Sequence, residues 1–352
     1  MKIAFTGGGT LGPVTPLLAV LETARKDDPT LESFWIGTAH GPEQELIASE
    51  KVIFYALPVA RLPRYLSVEW ILLPFRFLVA LVKAWWILKK EKPSMIASAG
   101  GYTAVPVIVI AWFLGIPVWV HQQDVSPLLT NLLTAPFATV VTTAFEKSMK
   151  RFPQAITQHL GNPVRPSVLK GSKERAIAHF HLDPTLPTVL VFGGGGGASW
   201  LNHAFLSIGA DLSKKANIIH LTGKGKMLEP LLDLGDHYHA QEFLKEEMAD
   251  VLAVAELVIT RAGMGTITEL SALGKASIII PLPESPQEAN AKVIEKAGAA
   301  MVLFQEEVSA EEVKDAIFDL LQDQTKRQIL SDKMRQLLPT DCAKTLLKQM
   351  KF

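Results

Sequence analysis

The chain has 352 residues, of which 48% are apolar and 20% are charged. This length exceeds what one hydrophobic core usually organises, and the apolar content excludes a disordered chain, so we predict two globular domains. The 35 basic residues balance 35 acidic ones, which argues against a general nucleic-acid binder. A single cysteine excludes an internal disulfide. The first apolar run starts at Ile3, which leaves no room for a signal peptide, so we expect a cytoplasmic location.

The first half of the sequence alternates strand-like and helix-like runs, which is typical of an α/β domain with a parallel sheet. A glycine-rich turn follows the first predicted strand and contains Gly7, Gly8, Gly9 and Gly12. Glycine lets the backbone approach an anion closely, and the next helix directs its first N–H groups toward that anion, so the turn is typical of a phosphate site. The predicted strands lie near residues 3–6, 33–36, 95–98, 118–120 and 139–142.

The same turn matches the dinucleotide fingerprint G-x-G-x-x-G through Gly7, Gly9 and Gly12. A dinucleotide enzyme also needs an acidic residue at the end of the second strand, where it holds the ribose. Gly37 and Thr38 stand there instead, which argues against NAD. The sequence also lacks a Walker lysine after either glycine turn and a His/Cys cluster with zinc spacing, so we expect neither ATP hydrolysis nor a structural metal.

Residues 94–123 carry no charged side chain and resemble a membrane span in composition. We interpret them as a core helix followed by a buried strand, because Pro106 suits a helix start and Gly115 a helix end, and Pro117 then precedes an apolar run. Helix breakers placed this close together disfavour the alternative of a true span.

The second half repeats this organisation after residues 161–166, which we interpret as a hinge. A second glycine turn occupies residues 193–197, and the predicted strands lie near residues 189–192, 218–221, 257–260 and 277–280. We therefore predict two doubly wound domains, residues 1–163 and 164–335, that face a ligand cleft at the carboxyl ends of their strands. Residues 336–352 are predicted to form a helix that packs back on the first domain.

A further junction between a strand and a helix lies at residues 261–266. The helix after it is predicted over residues 267–273 and ends at Gly274. Glu269 lies one turn into this helix and off its apolar face, where a carboxylate can accept both hydroxyls of a ribose while the helix dipole faces a diphosphate. The alternative is a solvated glutamate that only stabilises the helix dipole.

Seven motifs along the chain resemble, in order, those of the MurG-type glycosyltransferases. That family moves N-acetylglucosamine (GlcNAc) from UDP-GlcNAc to lipid I, the muramyl-pentapeptide carried on a polyprenyl diphosphate, in peptidoglycan synthesis. The segments that resemble the family's motifs are residues 8–16 (GGTGGHxxP), 100–102 (GGY), 115–124 (GIP-strand-HEQN), 161–165 (GNPVR), 193–202 (GGSQGAxxLN), 261–269 (RSGAxTxxE) and 286–300 (the region of EKAGAA). The resemblance covers nearly the whole chain.

The resemblance implies a GT-B fold, with two Rossmann-like domains and an inverting reaction that uses no metal and no cofactor. Glu269 would bind the ribose of the donor, and Gln287 the GlcNAc hydroxyls. The other implied donor-binding residues are Thr10, Gly12, Asp124, Arg165 at the hinge, Gly195, Gly196, Leu244, Arg261, Met264, Gly265 and Thr266. The loops implied to hold the acceptor diphosphate contain Gly8, Gly9, Gly100, Gly101 and Tyr102.

The departures from the family pattern affect the predicted mechanism. Pro13 replaces the histidine of the family's first loop, and the family's HEQN is His121, Gln122, Gln123 and Asp124 here. Asp124 is the carboxylate in these acceptor-side motifs, so we predict that it is the general base for the acceptor hydroxyl, with His121 as the second candidate. The alternative is a helix-capping aspartate beside a buried histidine.

A segment of mixed basic and aromatic character predicts peripheral binding to an anionic membrane surface, on the cytoplasmic face of the inner membrane. In the alternative interpretation its apolar residues form the core face of a helix, which explains about half of them. The segment runs from Arg61 to Lys92 and contains Trp70, Phe75, Phe77, Trp85 and Trp86 among the basic residues Arg61, Arg64, Arg76, Lys83, Lys89, Lys90 and Lys92.

Three other functions remain open at this point. A UDP-GlcNAc 2-epimerase would share the fold and the donor but use no lipid acceptor. A non-catalytic scaffold would bind UDP-GlcNAc without turnover. A transferase with another glycolipid acceptor would differ in loops whose chemistry the sequence does not reveal.

Overall fold

The computed structural model describes residues 2–59, 69–339 and 341–350. The chain divides into two units, of which the first ends at Arg165 and includes the C-terminal helix, and the second spans Pro166–Pro339. The predicted boundaries at residues 163/164 and 335/336 lie within four residues of these divisions.

The first unit contains a seven-stranded parallel sheet in the order β3-β2-β1-β4-β5-β6-β7. Its central strands are buried on both faces, as their continuous apolar runs predict. The strand order reverses between β1 and β4, and sheets of this type bind ligands outside the carboxyl ends at that point. The strands are β1 (Lys2–Thr6), β2 (Glu32–Thr38), β3 (Ile53–Leu57), β4 (Met95–Ser98), β5 (Val118–Gln122), β6 (Val140–Thr143) and β7 (Thr157–His159).

Helices cover the sheet of the first unit, and the C-terminal helix is among them. That helix packs against the first helix, and its Leu346 and Leu347 share a core with Leu17 and Leu21. The helices are α1 (Thr15–Asp27), α2 (Glu43–Ser49), α3 (Glu69–Glu91), α4 (Ala104–Phe113), α5 (Leu129–Thr134), α6 (Glu146–Met149) and α14 (Cys342–Met350).

The uncharged stretch at residues 94–123 forms β4, α4 and β5, so the prediction of a core helix followed by a buried strand is confirmed. Gly115 ends the helical segment with a φ of 68°, which lies in the left-handed region that favours glycine. Among the residues that the structure describes, no helix combines the length and the apolar character needed to cross a membrane.

The second unit contains a six-stranded parallel sheet in the order β10-β9-β8-β11-β12-β13. The strands are β8 (Thr188–Phe192), β9 (Asn217–Leu221), β10 (Tyr238–Gln241), β11 (Leu257–Thr260), β12 (Ser277–Ile279) and β13 (Met301–Val302). The helices are α7 (Lys173–Phe180), α8 (Ser199–Ser213), α9 (Met248–Val254), α10 (Met264–Leu273), α11 (Pro286–Lys296), α12 (Ala310–Gln322) and α13 (Gln324–Arg335).

The predicted class, two doubly wound α/β domains, is confirmed by these sheets. All nine predicted strands are present, and they correspond to β1, β2, β4, β5, β6, β8, β9, β11 and β12. The strands that the sequence did not predict are β3, β7, β10 and β13, and these four form the edges of the two sheets. These edge strands are less buried than the central strands, although the sequence of β3 is apolar throughout.

Candidate functional site

Two glycine loops of the first unit lie against each other, because β1 and β4 are adjacent parallel strands. A Cβ on Gly101 would lie 2.7 Å from the carbonyl oxygen of Gly8, and a Cβ on Gly9 would lie 2.3 Å from the ring of Tyr102. Both positions also have positive φ, 87° at Gly9 and 90° at Gly101. The two loops therefore require glycine, and the structure brings together the residues predicted to hold the acceptor diphosphate.

A buried carboxylate, which the sequence analysis did not predict, joins these loops to the next strand. Glu43 is the first residue of α2 and is fully buried. Its Oε2 accepts the Gly9 N–H at 3.1 Å, and its Oε1 accepts the N–H and the hydroxyl of Thr38. These donors compensate for the burial of the carboxylate. In the sequence Glu43 is only a glutamate at a helix start, a position that usually faces solvent.

Hydrogen bonds within the first unit use some of the amides that were predicted to bind a phosphate. The Gly9 N–H donates to Glu43, and the Gly100 N–H donates to the Ser98 hydroxyl at 3.2 Å. A diphosphate held by these loops would therefore have to use donors other than these two N–H groups, and its binding here stays a prediction. Thr10 and Gly12 are exposed beside this junction.

The loop after β5 carries Asp124 to the same end of the sheet. Asp124 is half-buried, and its backbone carbonyl accepts hydrogen bonds from the Gln122 amide at 2.8 Å and from the Ser148 hydroxyl at 3.3 Å. A Cβ on Gly12 would lie 3.6 Å from Nε2 of Gln123, so this loop adjoins the first glycine turn. The role of Asp124 as general base stays a prediction.

His121, the second candidate base, is fully buried at the end of β5. Its Nδ1 lies 2.8 Å from the Thr142 hydroxyl, and its Nε2 lies 2.6 Å from Oδ1 of Asn162. Burial lowers the pKa of the imidazole from 6.5 to about 4. Both ring nitrogens are thus engaged inside the first unit, which favours a structural role for His121 and argues against it as a base.

Arg165, the predicted contact at the hinge, pairs with two carboxylates of the first unit. Its Nε lies 3.4 Å from Oε2 of Glu22, and its Nη2 lies 3.2 Å from Oε1 of Glu50. Glu22 is on α1, and Glu50 directly follows α2. The guanidinium is therefore held by the first unit, and a contact from Arg165 to a donor would have to compete with these ion pairs.

The second glycine loop follows β8 and packs against the loop that follows β9. A Cβ on Gly197 would lie 2.3 Å from the carbonyl oxygen of Thr222, and a Cβ on Gly223 would lie 2.6 Å from Cα of Gly197. Lys226 donates from Nζ to the Gly196 carbonyl at 2.7 Å. Gly195 and Gly196 form the turn of this loop, and a Cβ on Gly196 would meet nothing within 4 Å.

Arg261 was predicted to belong to the loop around the donor, but its side chain is buried and points into the second unit. Its guanidinium donates to the carbonyls of Ile280 and Pro281, at 3.0 and 2.9 Å, and to Oε1 of Gln305 at 2.6 Å. Desolvation lowers the pKa of the guanidinium to about 10. Arg261 therefore holds the segment after β12 in place, and a ligand contact from its side chain would have to compete with these hydrogen bonds.

The helix α10 begins three residues earlier than predicted, directly after Gly263. Met264, Gly265 and Thr266 therefore form its first turn, whose N–H groups have no carbonyl partner within the helix. Glu269 lies further along α10 and is half-buried, and Gly274 ends the helix with a φ of 61°, as predicted. This end of α10 offers backbone donors suited to an anion, with a carboxylate close to them on the same helix.

Two further residues predicted to bind the sugar donor, Gln287 and Leu244, lie in the second unit. Gln287 is in the first turn of α11, and its Oε1 accepts the Leu282 N–H at 3.1 Å, so the predicted role of its side chain toward the sugar stays a prediction. Leu244 is buried, at 7% exposure, and the neighbouring Phe243 is 45% exposed.

The two units, each with a parallel sheet and glycine loops at the carboxyl ends of its strands, have the organisation of a GT-B fold. Models of the glycosyltransferase family 28 N-terminal and C-terminal domains match residues 3–143 and 188–346. A Clostridium perfringens protein named UDP-N-acetylglucosamine--N-acetylmuramyl-(pentapeptide) pyrophosphoryl-undecaprenol N-acetylglucosamine transferase is 36% identical over 92% of this chain and 91% of its own length. A Bacillus cereus protein of the same name, numbered 2, is 34% identical over 92% and 93%. The chain belongs to these MurG-type transferases of family 28.

Solved structures agree with this assignment. The crystal structure of MurG from Acinetobacter baumannii has a TM-score of 0.75 and 25% sequence identity, and the match covers 99% of both chains. UDP-GlcNAc 2-epimerase from Neisseria meningitidis, bound to UDP-GlcNAc, has a TM-score of 0.71 at 14% identity and 99% coverage of both chains, which shows a shared fold alone. The predicted family and the predicted GT-B fold are confirmed.

Proposed function

We propose that this chain is an inverting, metal-independent enzyme that moves GlcNAc from UDP-GlcNAc to the C4 hydroxyl of the muramyl-pentapeptide on a polyprenyl diphosphate, converting lipid I to lipid II in peptidoglycan synthesis. The observation that carries this proposal is the 36% identity over 92% of the chain to a transferase whose name describes that reaction. The glycine loops at the carboxyl ends of both sheets support it, because each sheet offers its loops to a ligand at that end.

In this proposal the second unit binds UDP-GlcNAc. The first turn of α10 directs the N–H groups of Gly265 and Thr266 at the diphosphate, and Glu269 accepts the ribose hydroxyls. Gln287 donates to the GlcNAc hydroxyls from its amide nitrogen. The diphosphate gains negative charge as it leaves, and backbone donors with a helix dipole stabilise that charge in the transition state.

The first unit binds the acceptor in this proposal, and Asp124 removes the proton from its attacking hydroxyl. A base must come within about 3 Å of that hydroxyl. The position of Asp124 supports this role, because its loop adjoins Gly12 and its own backbone carbonyl accepts hydrogen bonds from Gln122 and Ser148.

The second part of the proposal is that α3 and α4 hold the chain on an anionic membrane surface, on the cytoplasmic face of the inner membrane. Large apolar side chains on these adjacent helices are exposed, with Trp86 at 70%, Phe75 at 67% and Phe113 at 66%. Ala84, Ile87 and Leu88 of α3 are instead buried, so part of the apolar character of this helix serves the core. The exposed cations beside them are Arg76, Lys83, Lys89 and Lys90, whereas Arg61 and Arg64 lie outside the described residues.

Vesicle sedimentation tests the membrane surface. Reversing the charge of Arg61, Arg64 and Arg76 should abolish binding to anionic vesicles, because each cation contributes about 1 kcal/mol near such a surface. The matched control reverses Lys292 and Lys296, two exposed lysines on α11 of the second unit, and should leave binding unchanged. Equal binding by all three proteins would refute the surface.

UDP release from UDP-GlcNAc tests the activity, in the presence of EDTA, with and without a short-chain lipid I analogue and with the product mass measured. Acceptor-dependent release with a disaccharide product supports the proposal. Release without acceptor would instead identify an epimerase or a hydrolase. Donor binding without release, on this analogue and on other glycolipids, would identify a scaffold.

A further inference from the structure

One buried amide spans the whole loop that joins β5 to α5. Gln122, the last residue of β5, is fully buried. Its Nε2 donates to the carbonyls of Asp124 and Ser126, at 2.8 and 3.2 Å. Its Oε1 accepts the Leu128 N–H at 3.1 Å and a hydrogen of Asn131 Nδ2 at 2.8 Å. All of these partners come from the loop and the first residues of α5.

The chemistry of the partners determines which end of the amide faces which group. The Leu128 N–H can only donate, so it must meet the side-chain oxygen, and the two carbonyls can only accept, so they must meet the side-chain nitrogen. Asn131 is oriented in the same way, because its Nδ2 also donates to the His121 carbonyl at 2.9 Å. In this chain a carboxylate at position 122, the residue type that the family's HEQN motif has there, would supply no donor and would place negative charge against the two carbonyl oxygens.

The loop is also held from its other side. The Ser148 hydroxyl of α6 lies 3.3 Å from the Asp124 carbonyl and 3.0 Å from the Val125 carbonyl. The Asp124 carbonyl thus lies between Gln122 and Ser148, which fixes the backbone from which the Asp124 side chain departs. Gln123, which precedes Asp124, is 3% exposed and adjoins Gly12.

We infer that Gln122 is a positioning residue: it presets the loop after β5, so that Asp124 and Gln123 stand at the acceptor end of the first unit before any ligand arrives. The inference deepens the proposed function and rests on it for its catalytic consequence. Its structural consequence, an ordered loop, does not depend on the reaction. Gln122 itself touches no reacting atom, because its amide is fully used by the protein.

The test compares the wild-type chain with the Gln122→Glu variant, which keeps the shape of the side chain and removes both donors. The matched control is Thr143→Val. Thr143 pairs with Gln122 in register on β6, is equally buried, and its hydroxyl has no hydrogen-bond partner among the described residues. The control therefore changes a buried polar group on the same rung of the sheet without touching the loop.

We expect Gln122→Glu to lower kcat at pH 8 by about tenfold to hundredfold, because a displaced base loses its geometry for attack. Binding of UDP-GlcNAc, measured by calorimetry, should change less than about twofold, because the donor site lies in the second unit. The ratio of the variant's kcat to that of the wild type should rise between pH 8 and pH 6, since the introduced carboxyl group regains one donor when it is protonated. Thr143→Val should match the wild type in kcat and in pH profile.

Hydrogen exchange in the free protein separates failure of this inference from failure of the proposed function. Gln122→Glu should raise deuterium uptake in peptides covering residues 123–131, and Thr143→Val should not. Unchanged uptake overturns the inference. Raised uptake with wild-type kcat overturns the claim that the loop positions the base. If the wild type transfers no GlcNAc, the proposed function fails, and the exchange result alone then decides whether Gln122 orders the loop.

Discussion

The two units differ in the side-chain contacts that hold their loops. In the first unit side chains hold the loops: Glu43 takes the Gly9 amide, and Gln122 spans the loop that carries Asp124. Backbone packs on backbone in both units, as Gly101 does against Gly8 and Gly197 against Gly223. In the second unit the Lys226 side chain holds the Gly196 carbonyl, and the N-terminus of α10 has no side-chain cap. The second unit thus presents donors suited to a phosphate, whereas the first uses several of its donors internally and places a carboxylate beside them. This difference matches a donor diphosphate in one unit and an acceptor hydroxyl in the other.

Asp124→Asn gives the largest expected effect and tests the acceptor half of this comparison. The substitution removes the proposed proton acceptor, so kcat should fall by about a hundredfold to ten-thousandfold while UDP-GlcNAc binding is retained. Acceptor-dependent UDP release and calorimetry measure the two quantities. The control Asp27→Asn changes an exposed aspartate at the end of α1 and should have no effect. Wild-type turnover of Asp124→Asn would rule Asp124 out as the base.

The two units share a buried histidine, and the stability of each unit in acid should depend on it. Each buries a histidine that contacts an asparagine, His121 with Asn162 and His220 with Asn202. Burial lowers the pKa of each imidazole from 6.5 to about 4, so on acidification the unfolded chain takes up these protons first. The contribution of each neutral histidine to the free energy of unfolding is therefore fully present above pH 6.5. It is lost between pH 6.5 and about 4, by about 3 kcal/mol for each histidine.

Urea unfolding at pH 7.5, 6 and 5 measures this loss. His121→Gln should flatten the pH dependence of the first unit's transition, and His220→Gln that of the second. His40→Gln, at an exposed position, serves as the control. An acid loss that is the same in all four proteins would show that neither buried histidine causes it.

Glu43→Gln tests whether side chains hold the first glycine loop. An amide in place of the carboxylate turns one acceptor into a donor and leaves a buried N–H or hydroxyl without its partner, so the free energy of unfolding should fall by about 1–3 kcal/mol. Glu146→Gln is the matched control, because Glu146 also begins a helix but is exposed. Equal stability of the two variants would mean that the Glu43 contacts contribute nothing to the loop.

Glu269→Gln tests the donor half and has the smallest expected effect. A neutral amide accepts ribose hydroxyls less strongly than a carboxylate, so the Kd for UDP should rise by about tenfold, which corresponds to about 1.4 kcal/mol. The control is Glu295→Gln, on the exposed surface of α11. If UDP binds Glu269→Gln as tightly as the wild type, Glu269 is the solvated, dipole-stabilising residue of the alternative interpretation.

The sequence predicted where most of the site lies but few of the hydrogen bonds within it. Glycine turns mark the ends of central strands, and those strands meet at one edge of each sheet, so Gly8 and Gly101 could be expected to lie together. The uses of Glu43, Gln122 and Arg261 could not be predicted, because each contacts backbone atoms of segments whose position depends on the fold. The sequence alone does not distinguish a polar loop residue that binds a ligand from one whose side chain is hydrogen-bonded to the loop backbone.

The amino-acid sequence by itself determined the class of fold, the central strands and the family. Buried strands need continuous apolar runs, and glycine is required where two of these loops pack backbone against backbone, so both leave a direct pattern in the sequence. Only the tertiary structure decided the edge strands β3, β7, β10 and β13, the burial of Glu43 and the inward direction of Arg261. These depend on contacts between residues far apart in the chain, and hydrogen bonds to backbone atoms leave no periodic pattern for the sequence to show.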